Sequence, residues 1–220
     1  MTNIIQFGEH VQGYPIPVLN EREIRAAAGL LFLATFISLM FILFQGNFVP
    51  IKYVLTLFLT DLLIRVLINP RYAPSLIIGR LIVRNQAPEY VGAAQKRFAW
   101  WIGIFLSATM FIFLIIVNAY SPITGITCLL CLIFLFFETA FGICLGCKVY
   151  NLFYKQKAQH CPGEVCDRKA KQDIQKVSAV QWLIVIAFVA YMMLIGSVAD
   201  HYFSKQPHNL FAINRSAQSK

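Results

Sequence analysis

Phe141 to Cys166 reads FGICLGCKVYNLFYKQKAQHCPGEVC, four thiols around the point where a long apolar run gives way to a basic, polar loop. Cys144 and Cys147 form a C-x-x-C pair immediately before Lys148. A three-residue step on a helix puts both sulfurs on one face. Cys161 and Cys166 follow in HCPGEVC, where Pro162–Gly163 is a turn signal that lets the two thiols approach each other. His160 and the surrounding lysines favour thiolate. Three uses fit this pattern. The first is a redox or sulfur-relay site, in which one pair attacks a disulfide or persulfide and passes electrons or sulfur on. The second is a four-cysteine metal clip, with zinc as the ion that two thiolate pairs on a loop would take. The third is no joint site at all. The four residues between Cys161 and Cys166 make that pair wider than the usual metal knuckle. Cys128 and Cys131, inside the apolar run TCLLCLIF, read as small packing residues.

The second chemistry is charge inside apolar segments. Asp61 and Arg65 stand four apart, acid first, the favourable order for a pair on one helical face. Charge in hydrocarbon is costly and needs a partner, so the pair reads as a packing-fixing ion pair or as a polar step in a substrate or proton path. Glu138 shares a helical face with Cys131, Gly142 and Gly146, and the two glycines would let that face approach another helix closely. Arg65 is the partner expected for Glu138, giving a cluster of Asp61, Arg65 and Glu138.

These residues need elements to hold them. Five apolar blocks are long enough to span a bilayer: Ala26–Phe44, Val49–Ile68, Phe98–Asn118, Ile123–Gly146 and Val180–Tyr202. Short turns join the first to the second and the third to the fourth, as two tight hairpins. Asn20 is positioned to cap the first helix, with Glu23 three residues on to return the bond. Pro74–Asn85, PSLIIGRLIVRN, is too short to span; with Arg80 and Arg84 on one face it reads as an amphipathic helix lying in the membrane interface. The expected fold is an all-α, polytopic integral membrane bundle of about five transmembrane helices plus that interfacial helix. Its parts are a cytoplasmic N-terminal segment (1–25), a four-helix membrane core (26–147), a basic cysteine-containing loop (148–178), a fifth membrane helix (179–203) and a polar tail (204–220).

Composition agrees with a membrane protein. Of the 220 residues, 58% are hydrophobic and only 13% charged, with mean hydropathy +0.64, more apolar surface than a soluble domain of this size covers. The net charge of +9 does not indicate nucleic acid, because the basic residues lie between apolar blocks, where they set topology and meet lipid headgroups. They gather in three segments: Arg22 and Arg25; Arg71, Arg80, Arg84, Lys96 and Arg97; and Lys148 through Lys176. This places the N-terminus and all four thiols in the cytoplasm, where stable disulfides are unusual, and the C-terminus outside. Lys205, Arg215 and Lys220 in the tail dissent mildly, as if the fifth block did not cross fully. MTNIIQFGEHVQGYPIPVLNERE lacks the short apolar core of a secretory signal, so the first block is expected to stay as an anchor. No P-loop, G-x-G-x-x-G, H-E-x-x-H or G-x-S-x-G motif is present.

Four stretches, VLNEREIRAAAG (Val18–Gly29), DLLIRVLINPRYAPS (Asp61–Ser75), PEYVGAAQKRFAWWIG (Pro88–Gly103) and FETAFGICLGCKVY (Phe137–Tyr150), recur in the order of a bacterial membrane family. The chain resembles that family, the domain of unknown function 4395, over roughly Val18–Tyr150. The resemblance implies a small multi-span inner-membrane protein with Asp61, Arg65, Pro70, Arg71, Lys96, Arg97, Phe98, Glu138, Cys144 and Cys147 in motif positions, and no established activity. It also implies an association with thioredoxin-like or sulfur-transfer proteins. The expected partners are the lipid bilayer, such a protein and a second copy of the chain; nucleic acid is not one. Thiol-dependent handling of reductant or sulfur at the cytoplasmic face is the leading expectation. The alternative is a non-enzymatic small transporter or assembly protein.

Overall fold

The computed structural model of the chain describes residues 7–11, 16–146, 149 and 177–209. Four helices form a ring: α1 (Glu21–Gln45), α2 (Val49–Leu63), α4 (Ala93–Phe111) and α5 (Pro122–Phe141). Each packs on the next, α1 on α2, α2 on α4, α4 on α5 and α5 back on α1. The short α3 (Pro74–Ile82) closes against α1, and α6 (Ala179–Phe203) lies outside the ring along α3 and α2. The bundle therefore has a charged end, where α1 and α4 begin, and a turn end, where α1 gives way to α2 and α4 to α5.

Local sequence sets each boundary. Asn20 caps α1: its Oδ1 accepts from the Arg22 amide at 3.2 Å. Glu23 answers through the Asn20 side-chain amide, 2.9 Å from Glu23 Oε1, rather than through the backbone N–H of a full capping box. Gly46, at φ 64°, ends α1 in the left-handed conformation that a side chain disfavours. Ser121 and Thr124 form a reciprocal capping box at the start of α5, and Ser178 and Gln181 form another at the start of α6.

The second apolar block is helical throughout, but its last turn widens to a π-helix over Ile64–Ile68. Four helices, Glu21–Gln45, Ala93–Ile116, Pro122–Phe141 and Ala179–Phe203, are long and apolar enough to cross a membrane. The second block has comparable reach and buries three charged side chains, Lys52, Asp61 and Arg65. The fifth block runs the full height of the ring. At one end Gln181 Nε2 donates to the Arg71 carbonyl at 2.9 Å; at the other, Tyr202 Oη donates to the Ile116 carbonyl at 3.1 Å. Its outer side chains, among them Leu183, Ile186, Met193 and Val198, are exposed, which suits a helix whose solvent is lipid.

Two expectations need correction. The fourth helix ends at Phe141, because Gly142 turns left-handed at φ 64°. Gly142 and Gly146 therefore do not share a helical face. Gly146 instead meets α4, where an added Cβ would fall 2.6 Å from Ala99 Cβ. The two arginines of the helix expected at 74–85 do not share one face. Gly79 brings it against α1 so closely that a Cβ there would sit 2.6 Å from the Glu23 carbonyl oxygen. Arg80 is buried while Arg84, beyond the helix end, is exposed, so the two do not form one solvent face.

Candidate functional site

At the charged end, buried ions sort into separate groups. Asp61 and Arg65 pair on α2 and its π extension, with Arg65 Nε 2.8 Å from Asp61 Oδ2. Ser75, in the first turn of α3, completes the group: its amide donates to Asp61 Oδ1 at 2.9 Å and its hydroxyl to Oδ2 at 2.6 Å. Asp61 thus supplies the acceptor that the start of α3 lacks, since Ala73 offers no side-chain cap. The Arg65 guanidinium lies over the Trp100 ring, 5.2 Å from its centroid.

Glu138 belongs to a different group. Its Oε1 is 2.5 Å from Lys96 Nζ, which is also 2.8 Å from Glu21 Oε2. Lys96, 1% exposed, is the hub that ties the start of α1, the start of α4 and the last turn of α5. A third pair, Glu23 with Arg80 at 3.1 Å, joins α1 to α3. The expected Asp61–Arg65–Glu138 cluster is therefore two clusters. Arg65 is drawn away from Glu138 by Asp61 and Ser75 on its own side of the ring, and Lys96 takes the acid.

Both groups nonetheless face one cavity of about 70 Å³ on the ring axis, whose wall includes Arg65, Trp100, Cys131, Glu138 and Cys144. Cys144 is buried just past the break in α5. The Arg25 guanidinium lies flat on that break: a Cβ at Gly142 would come within 3.1 Å of Arg25 Nη1. A cation there also suits the carbonyls at the end of α5. Cys147, Cys161, Cys166 and His160 lie outside the described residues. Among the described residues no three metal-ligating side chains gather. Cys128 is buried in the apolar cluster with Ile51, Met110 and Leu114.

A protein-family model described as Domain of unknown function (DUF4395) matches residues 19–155, which take in every ion pair above and Cys144. The chain belongs to the DUF4395 family. No curated protein and no solved structure matches it. The DUF4395 match covers the whole ring and leaves out α6 and the strand that follows it.

Several residues of this DUF4395 core escaped sequence reasoning. Glu21 is not singled out by the sequence and Glu23 reads only as the capping partner of Asn20, yet both reach across to basic partners on other helices. Lys52 was visible as a lone cation in FVPIKYVLTLF, but nothing nearby in sequence offers it a counter-charge. It is completely buried at the turn end. Its Nζ donates to Asn118 Oδ1 at 2.7 Å and to the Lys205 carbonyl at 2.8 Å. Asn118 takes φ 52°, tolerable for asparagine, and its Nδ2 donates to the Gln206 carbonyl. Beyond it, Ala119–Tyr120 (β3) pairs in parallel with His208–Asn209 (β4). At the other end Val18–Asn20 (β1) pairs antiparallel with Tyr90–Gly92 (β2).

Proposed function

We propose that this DUF4395 protein is a bacterial inner-membrane protein that handles reductant or sulfur through thiols at the cytoplasmic face, with Cys144 and Cys147 as the membrane-side pair and Cys161 and Cys166 as their partner pair. One observation carries the reading. Cys144 is buried at the wall of the axial cavity, beside a helix break, and shares that wall with Glu138 and Arg65. A thiol lodged only for packing has no need of a charged cavity. One held by a break outside regular helix is freer to change partner than one inside a helix.

The chemistry is dithiol–disulfide exchange. A thiolate of the pair attacks one sulfur of a partner disulfide, of the thioredoxin-like class, and the other partner sulfur leaves as thiolate. The second cysteine then attacks the mixed disulfide. Two electrons pass to the partner, two protons follow to its thiols, and Cys144–Cys147 becomes the disulfide. A persulfide partner would instead hand its outer sulfur to the attacking thiolate.

The cytoplasmic placement rests on charge. The charged end carries Arg22, Arg25, Arg71, Arg80, Arg84, Lys96 and Arg97, the excess expected on a cytoplasmic side.

The test is quenched alkylation in intact membranes across thiol/disulfide buffers. Cys144 and Cys147 should lose label together as the buffer becomes oxidising, and Cys144→Ser should leave Cys147 labelled throughout. Labelling that ignores the buffer, together with about one zinc per purified chain, would establish the four-cysteine clip and end the redox reading.

A further inference from the structure

The ring axis holds a second cavity, of about 30 Å³, nearer the turn end. Each cavity is walled by all four ring helices. In the second, Thr35 comes from α1, Ile51 from α2, Ser107 from α4 and Cys128 from α5. Packing gaps in a bundle fall anywhere between neighbouring helices; these two lie one above the other where four helices face inward.

They also share walls. Phe58, Cys131 and Leu135 line both, so the partition between them is one layer of side chains. Along α5 the lining runs from Cys128 to Glu138, ten residues or ~15 Å at the helical rise. That is about half the hydrocarbon thickness of a bilayer, ~30 Å. Small residues also line the lower part: Ala99 and Gly103 on α4, Ala28 on α1 and Gly146.

We propose that the two cavities are stages of an occluded passage through the ring for a small uncharged solute of a few heavy atoms, with Phe58, Cys131 and Leu135 as its gate. This goes beyond the thiol reading and stands without it.

Charge selection follows from the walls. The lower cavity has Arg65 and Glu138 in its wall and suits polar species. The upper cavity is different. Its hydroxyls, Thr35 and Ser107, donate to carbonyls of their own helices, Leu31 at 2.8 Å and Gly103 at 2.7 Å. An ion entering there would exchange a full hydration shell for two hydroxyl oxygens in an otherwise apolar wall. Size follows from volume: a cavity of ~150 Å³ holds benzene, and neither of these reaches that. At the turn end Ile51 and Met110 line the upper cavity and join Phe203 in one apolar cluster, and the Lys52–Asn118–Lys205 contact lies at the same end.

The experiment uses the full chain in liposomes, with water, urea and formamide as probes and potassium as the charged control. Wild type, Leu135→Ala and Leu135→Trp are compared by stopped-flow light scattering. Leu135→Ala should carry at least one uncharged probe several-fold faster than protein-free vesicles, with wild type slower than this variant and Leu135→Trp at the vesicle background. Potassium should remain at background in all three. The proposal is overturned if all three proteins leave every uncharged probe at the protein-free rate. It is equally overturned if the three proteins carry the probes alike, since the flux would then bypass the shared partition.

Discussion

The two ends of the bundle bury cations by opposite means. At the charged end every buried cation described above meets carboxylate: Arg65 has Asp61, Arg80 has Glu23 and Lys96 has both Glu21 and Glu138. At the turn end Lys52 is as deeply buried, yet its acceptors are an asparagine side chain and a backbone carbonyl, both neutral. The first solution holds that end together, Lys96 across the ring and Arg80 from α3 to α1. The second ties the ring to chain that arrives much later in sequence. A buried ion pair is costly to break from one side, because the partner charge is left unpaired; a neutral carbonyl asks no desolvation of an acid in return.

That contrast can be broken, beginning where most is at stake. Lys96→Met leaves its buried site without a cation and two partly buried carboxylates unpaired, and should cost about 3 kcal/mol in unfolding measured in detergent. Adding Glu21→Gln and Glu138→Gln should restore most of it, and no recovery would mean Lys96 acts through packing and not charge. Asp61→Asn leaves Arg65 without its anion and weakens the start of α3; a loss of about 3 kcal/mol is expected, along with faster amide exchange over 74–82. Lys52→Met leaves only neutral acceptors unsatisfied, so about 1–3 kcal/mol is expected, with proteolysis after residue 203 as the more sensitive reading. A Lys52 loss equal to that of Lys96 would erase the distinction between the ends. Gly142→Ala forces a side chain into the left-handed region against Arg25 and should cost about 1–2 kcal/mol. The smallest effect belongs to the half-exposed Arg22–Glu89 pair, where Arg22→Gln should shift stability by less than about 1 kcal/mol.

The apolar blocks were legible because their length and lack of charge leave few alternatives. The Asp61–Arg65 pair was legible for a similar reason: its partner is one helical turn away. What stayed hidden was long-range pairing. Lys96 and Glu138 are 42 residues apart, and nothing in the spacing says that α4 and α5 bring them together. Arg65 was assigned to Glu138 as well as to Asp61, whereas Ser75, a residue with no sign of special use, completes Asp61 and Arg65. The break at Gly142 was read as a packing face. A glycine four residues before another supports that reading equally well, and only the left-handed turn distinguishes a helix end from a helix contact. Cys161 and Cys166, on which half of the thiol reading rests, lie outside the described residues.

The Lys52 contact has a consequence for how the chain is made. Its asparagine ligand lies 66 residues downstream and its carbonyl ligand 153. A ribosome therefore delivers the second helix to the bilayer well before either acceptor exists. Until then the ammonium must borrow water or headgroup oxygen at the membrane edge. Final seating of that helix is deferred until Lys205 has been made, and a nascent chain cut short before it would leave the helix unsettled.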